Sequence, residues 1–85
     1  IIRPDNSIAY LNLGDLYGYY FHDSQKAEEY LLKAVKIEPN NIYAYYKTYE
    51  FYTDTNQPEK ARQILEQGIA VNPNTSQSLQ SLLNL

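Results

Sequence analysis

Two stretches of 14 residues decide how this chain folds: KAEEYLLKAVKIEP at residues 26–39 and KARQILEQGIAVNP at residues 60–73. At a spacing of 34 residues they match in their small residues, their leucines and their closing prolines. The matching pairs are Ala27 with Ala61, Leu31 with Leu65, Ala34 with Gly68, Val35 with Ile69, Ile37 with Val71, and Pro39 with Pro73. Such a period is typical of helical repeats, which bury their apolar faces by stacking on one another.

The repeat continues towards the N-terminus, but there the spacing between matching residues is one residue longer. The matching pairs there are 35 residues apart: Tyr10 with Tyr45, Gly14 with Tyr49, and Tyr17 with Tyr52. The first unit therefore carries one extra residue, which we expect in the segment 20–24.

Each unit is predicted to form two helices, with breaks at residues 22–24, 39–41, 55–57 and 73–75. Asn6 can cap the first helix, and Asp23 or Ser24 the second. Asn56 followed by Glu59 resembles a capping box, and Pro58 suits a first helical turn. A fifth helix is predicted from residue 76 to about residue 84, with an N-cap at residue 74 or 75.

The whole chain of 85 residues is predicted to be one all-α module. Its last helix places Leu79, Leu82 and Leu83 on one side and polar residues elsewhere, as expected of a helix that caps a stack. Ile1 and Ile2 resemble the last turn of a preceding helix. The predicted division is residues 1–5 as the end of a preceding repeat, 6–40 and 41–74 as two full repeats, and 75–85 as the capping helix.

Composition excludes several classes of function. The net charge is −3, with 10 acidic and 7 basic residues, so a nucleic-acid backbone would be repelled and is not an expected partner. There are no cysteines, so disulfides and cysteine-ligated metals are excluded. No apolar run approaches the roughly 20 residues that span a membrane, so a membrane partner is not expected either.

The motif residues resemble the tetratricopeptide repeat. The first unit supplies most of that pattern in Tyr10, Leu13-Gly14, Tyr17, Ala27, Leu31, Ala34 and Pro39. The second unit supplies Tyr45, Tyr52, Ala61, Leu65, Gly68 and Pro73, but has Thr48-Tyr49 where the pattern has Leu-Gly. The resemblance implies antiparallel helix-turn-helix repeats stacked in a right-handed solenoid, with about two full repeats and a C-terminal capping helix.

The resemblance also implies a concave groove that is lined by the first helix of each unit and binds a protein segment. By register, the expected groove residues are Leu11, Asn12, Asp15 and Tyr19; Tyr43, Tyr46, Lys47, Glu50 and Asp54; and Gln77, Gln80 and Asn84. The alternative is that the groove tyrosines only cover the surface and bind nothing specific.

Some family members grip the C-terminal carboxylate of chaperone tails with Lys, Arg and Asn. The matching positions here are Leu11 and Asp15, Tyr46 and Glu50, and Gln80 and Asn84. Because carboxylates replace two of the expected groups, we expect no such carboxylate clamp. A neutral, proline-rich or basic protein segment is the expected partner, anchored by tyrosines.

Catalysis is not expected. His22 beside Asp23 is the one acid–base pair that the sequence offers, and a solvated turn histidine explains it better. Glu28, Glu29 and Glu38 are interpreted as outer-face charges, so neither a metal nor a cofactor is expected.

A structural role is the competing hypothesis to an adaptor. The module would then self-assemble through its N-terminal edge, where Ile1, Ile2, Ile8 and Tyr19 or Tyr20 would be partly interfacial, giving a homo-oligomer.

Overall fold

The computed structural model describes residues 6–85. Within them the chain forms five α-helices and no strand. The helices are α1 Ser7–Asp15, which continues into a π-helical turn at Leu16–Tyr20, α2 Ser24–Ile37, α3 Ile42–Asp54, α4 Pro58–Val71 and α5 Gln77–Leu83. This confirms the all-α prediction, and the four breaks fall where the sequence indicated. The suggestion that Ile1 and Ile2 end a preceding helix lies outside the described residues.

The helices form two layers. Consecutive helices pack in pairs, α1 with α2 and α3 with α4, and α2 and α4 each also pack against the helix that follows. Helices α1, α3 and α5 contact one another in turn, so they form one layer, while α2 and α4 form the other. We call the first of these the inner layer.

Small and large side chains alternate through the core. Ala27, Ala34 and Ala44 are fully buried, and so is the large side chain of Tyr45. A methyl group built at Gly68 would lie 2.6 Å from Leu79 Cδ1 and 2.8 Å from Tyr45 Cγ, so α4 can meet both inner helices there only because residue 68 has no side chain.

The turn between the two units is tied to the second unit by hydrogen bonds. The carbonyl oxygen of Pro39 accepts from the Tyr45 hydroxyl at 2.6 Å and from the Asn72 amide at 2.9 Å. These bonds satisfy polar groups in a part-buried turn, where an unpaired carbonyl would be costly.

The extra residue of the first unit is absorbed in the π-helical turn at Leu16–Tyr20, which corrects the expectation that it lies in the segment 20–24. Phe21 N–H donates to Leu16 O at 3.0 Å, five residues back. At the matching place in the second unit, Thr55 N–H donates to Phe51 O at 3.0 Å, four residues back. A single wider turn is the usual way in which a helix accommodates an inserted residue, and such turns occur often at functional sites.

Both tight turns between paired helices use a left-handed residue. His22 has a φ of 55° and Asn56 a φ of 59°, and His and Asn tolerate this region better than most residues. The Asn56 conformation makes the expected capping box wrong: Gln57 is the N-cap of α4, and Pro58 is its first residue as expected. Similarly, Ser76 takes the N-cap position of α5 instead of residue 74 or 75.

The expected caps of the first two helices are confirmed. The Asn6 side chain accepts from Ala9 N–H at 3.3 Å, and the Asp23 side chain accepts from Lys26 N–H at 3.0 Å. One carboxylate oxygen of Asp23 is therefore engaged in capping α2.

Candidate functional site

The exposed face of α1 and α3 carries most of the residues expected to line a groove. Lys47 joins the two helices, because its Nζ lies 3.3 Å from Asp15 Oδ2 on α1 and 3.1 Å from Glu50 Oε1 on α3. The Lys47 side chain is only 14% exposed, whereas the two carboxylates are 40% and 36% exposed. The cation therefore lies beneath a rim of acidic groups.

The protonation state of Lys47 follows from this geometry. Burial lowers its pKa, but hydrogen bonds to Glu50 and Asp15 and their negative charges outweigh burial, so the pKa is raised above its usual value. Lys47 is therefore a fixed positive charge at neutral pH.

A second link joins the two helices near their C-terminal ends. The Tyr19 hydroxyl donates to Asp54 Oδ2 at 2.6 Å. Burial, the hydrogen bond to Asp54 and the charges of Asp54, Glu50 and Asp15 together raise the pKa of Tyr19. Tyr19 lies within the π-helical turn, so the inserted residue shapes the part of the surface that holds this bond.

These links border an open recess of about 550 Å³ between the two helices. Its walls come from α1, the π-helical turn and one residue of α3: Asn12, Asp15, Leu16, Tyr19, Tyr20 and Lys47. We call this recess, together with the exposed tyrosines of α3 described next, the groove.

Two tyrosines extend the groove along α3. The rings of Tyr43 and Tyr46 stack with centroids 6.3 Å apart, and the residues are 53% and 37% exposed. The Tyr46 hydroxyl donates to Glu50 Oε2 at 3.3 Å, and the negative charge of Glu50 is the main cause that raises the pKa of Tyr46. Glu50 thus holds Lys47 with one oxygen and Tyr46 with the other.

The groove has an acidic balance. Asp15, Glu50 and Asp54 supply three carboxylates, and Lys47 supplies one ammonium group. A bound segment would meet flat aromatic surface beside negative charge.

Leu11 does not belong to this surface, so its expected place in the groove is corrected. Its side chain is only 2% exposed and belongs to the core cluster. Neighbouring residues on a helix point about 100° apart, so Leu11 lies to one side of the stripe formed by Asn12 and Asp15. On that flank α3 packs against α1, and an apolar side chain gains from burial.

The expected groove residues of α5 are not joined to the others. Gln80 donates to Pro73 O at 3.5 Å and to Ser76 Oγ at 3.2 Å, so its amide turns back towards the start of its own helix. Gln77 and Asn84 are exposed. Within residues 6–85, no hydrogen bond or ion pair connects these three side chains to α3.

Sequence reasoning did not place two residues that the structure adds to the groove, nor an exposed residue on the same stripe of α1. Leu16 and Tyr20 line the recess and are 40% and 71% exposed. Ile8 is 50% exposed and lies one helical turn before Asn12. The helical spacing of Ile8, Asn12, Asp15 and Tyr19 was the signal that could have identified Ile8 as part of this stripe.

Two further observations concern the described part of the chain. Residues 6–85 contain no group of three or more His, Cys, Asp or Glu side chains placed to hold a metal ion. None of the helices in this range is both long and apolar enough to cross a membrane.

Stacked antiparallel helix pairs with a repeating pattern of small and aromatic residues define a helical-repeat protein. The family model described as tetratricopeptide repeat matches residues 21–85, and the chain belongs to that family. Membership implies a role in protein–protein interaction, and such repeats are in general not catalytic. A search of curated proteins finds no match.

Proposed function

We propose that this module is a non-catalytic adaptor that binds a neutral, proline-rich or basic segment of a partner protein in the groove. The observation that carries the proposal is the continuous exposed face of α1 and α3. That face is tied together by the contacts of Lys47 with Asp15 and Glu50 and of Tyr19 with Asp54. A face held in place in this way presents its side chains to a ligand with little further loss of conformational freedom.

Tyr43 and Tyr46 would provide most of the binding energy. Tyrosine offers a large flat contact while few torsions are immobilised, and exposed stacked rings are suited to a proline-rich or apolar segment. Because the groove is short, we expect an affinity on the order of micromolar, about −8 kcal/mol.

The carboxylates would determine which segments bind. Asp15, Glu50 and Asp54 attract a basic segment and repel an acidic tail, and such charges contribute to specificity more than to affinity. The same charges argue against a carboxylate clamp and against nucleic acid as a partner.

A peptide array tests this proposal with wild type, Tyr46→Ala and Glu50→Lys. Tyr46→Ala should cost roughly 1–2 kcal/mol in binding, since the anchor ring is lost from an exposed position. Glu50→Lys should move the selected peptides towards acidic sequences. Glu29→Lys, the same charge change at an exposed position of α2, is the control and should leave the selection unchanged. Selection of acidic C-terminal peptides by the wild type would refute the proposal.

Self-assembly through the N-terminal edge is a second candidate, favoured by an exposed aromatic pair beside α1. Tyr20 and Phe21 are 71% and 56% exposed, and their ring centroids lie 5.3 Å apart. Light scattering after size-exclusion chromatography tests it, because a strictly monomeric mass at all concentrations would exclude this role.

A further inference from the structure

The exposed face of α3 changes in character along the helix axis. Tyr43 and Tyr46 lie in its first half, where their rings stack with centroids 6.3 Å apart. Glu50 and Asp54 follow Tyr46 at spacings of four residues, which keeps them on the same side of the helix. The face therefore has an aromatic end, at Tyr43 and Tyr46, and an acidic end, at Glu50 and Asp54.

Helix α1 runs in the same direction as α3 and contributes to the acidic end. Asp15 of α1 contacts Lys47 of α3 at 3.3 Å, and Tyr19, one helical turn further along, donates to Asp54 at 2.6 Å. Residue numbers rise together on the two helices in these contacts, so the helices are parallel. Their C-terminal ends therefore lie side by side beneath the same part of a bound segment.

Asp54 is the carboxylate whose charge is least compensated at this end. Asp15 and Glu50 both contact the ammonium group of Lys47, whereas Asp54 accepts from the neutral hydroxyl of Tyr19 through Oδ2. Asp54 is exposed, and among residues 6–85 no cation pairs with it and no group donates to its Oδ1. A cation that a partner supplies can therefore reach this carboxylate.

The backbone adds to the negative charge around Asp54. It is the last residue of α3, and the last turn of that helix contains no basic residue. A helix C-terminus carries partial negative charge, so a carboxylate is unfavourable there and a cation is favourable. The bond from Tyr19 requires only an acceptor, which an uncharged Asn would also provide. The charge of Asp54 is therefore not explained by the contacts within the module.

We propose that the groove selects an extended partner segment in which a proline pair lies three or four residues from an arginine. This inference rests on the proposed function, because it states how the groove distinguishes among neutral, proline-rich and basic segments. The prolines lie on Tyr43 and Tyr46, and the arginine pairs with Asp54. A guanidinium group fits this end because its several N–H donors can engage Asp54 together with the neighbouring Glu50.

The spacing follows from helix geometry. A helix rises about 1.5 Å per residue, so the centre of the aromatic end lies about 11 Å from the centre of the acidic end. An extended polyproline segment advances about 3.1 Å per residue and covers this distance in three or four residues. A segment that has its arginine directly beside the prolines cannot occupy both ends of the face.

Two peptides of identical composition test the spacing. Both are acetylated and amidated: the spaced peptide is Ala-Pro-Pro-Ala-Ala-Arg-Ala, and the adjacent peptide is Ala-Ala-Ala-Pro-Pro-Arg-Ala. Each is titrated into ¹⁵N-labelled protein. The spaced peptide should bind about fivefold more tightly and should shift the amides of Tyr43, Tyr46 and Asp54, whereas the adjacent peptide should spare Asp54.

A charge-removing variant tests the role of Asp54. Asp54→Asn keeps an acceptor for Tyr19 and should weaken the spaced peptide about fivefold, while the adjacent peptide and a spaced peptide with Gln in place of Arg should bind as they do to the wild type. Glu29→Gln, which removes a charge from an exposed position of α2, is the matched control and should change none of these affinities.

The outcomes separate this inference from the proposed function. If both peptides shift Tyr43 and Tyr46 with equal affinity, or if Asp54→Asn weakens them equally, the spacing is wrong while the groove remains a binding site. If neither peptide shifts any residue of the groove, the proposed function fails and the inference fails with it.

Discussion

The two units share one register, yet they differ at the surface where the following helix packs. In the first unit Gly14 and Gly18 leave room, and a methyl group at Gly14 would lie only 2.7 Å from Leu31. In the second unit Tyr49 and Thr53 hold those positions, and an open cleft remains beside Ala61. The difference teaches that matching core residues make the two units stack alike, while the positions at the surface of each unit are free to differ.

The largest expected effect comes from enlarging the matched alanines. Ala27→Leu should destabilise the module by about 1–3 kcal/mol, because Ala27 is fully buried and a methyl group built at Gly18 would already lie 3.3 Å from its Cβ, so there is no space for a larger side chain. Ala61→Leu should cost less than about 1 kcal/mol, because the added methyl groups can enter the cleft. Denaturant unfolding of both variants measures the difference. Equal losses would show that the cleft is not open in solution.

A smaller effect is expected from the hydroxyl that joins the two units. Tyr52→Phe should cost about 1 kcal/mol, because it removes the hydrogen bond to Glu28 from a buried tyrosine. Tyr43→Phe is the matched control, since that hydroxyl makes no hydrogen bond within the described residues and the ring is exposed. If the two variants unfold at the same denaturant concentration, the bond does not contribute to stability.

Ionisation of Tyr19 and Tyr52 has the smallest expected effect, because at neutral pH it should not change the stability of the module. Burial and hydrogen bonds to Asp54 and Glu28 raise the pKa of both above the ordinary 10.0. A raised pKa favours the neutral hydroxyl in the folded state, so this stabilisation is complete below pH 10.0 and is lost as the pH rises above it.

Alkaline titration followed by tyrosinate absorbance checks this prediction. Tyr19 and Tyr52 should resist ionisation until the chain unfolds, and the Tyr19→Phe, Tyr52→Phe double variant should reduce the resistant fraction by two tyrosines. A wild type in which all tyrosines ionise together near the ordinary value while the fold persists would contradict it.

The sequence was sufficient to predict the helices and their breaks, because the spacing of Ala27, Leu31 and Pro39 is repeated at Ala61, Leu65 and Pro73. It showed one extra residue in the first unit but not where the backbone absorbs it. The number of residues in the first unit is the same whether the extra residue widens a helical turn at Leu16–Tyr20 or lengthens the loop after that turn.

The sites were less predictable because they depend on neighbouring helices. Leu11 and Tyr46 occupy matching positions, yet Leu11 is 2% exposed and Tyr46 is 37% exposed. Leu11 lies on the flank of α1 that packs against α3, so its burial depends on a neighbouring helix. No pattern within one helix records which of its flanks a neighbouring helix covers.

The central claim is that the groove is the primary partner site, and an NMR titration tests it most directly. A peptide rich in proline and arginine is added to ¹⁵N-labelled protein, and an acidic peptide of equal length serves as the comparison. The account predicts that the basic peptide shifts the amides of Asp15, Tyr43, Tyr46 and Glu50, with the acidic peptide binding more weakly. Tighter binding of the acidic peptide, or shifts that spare these four residues, would contradict it.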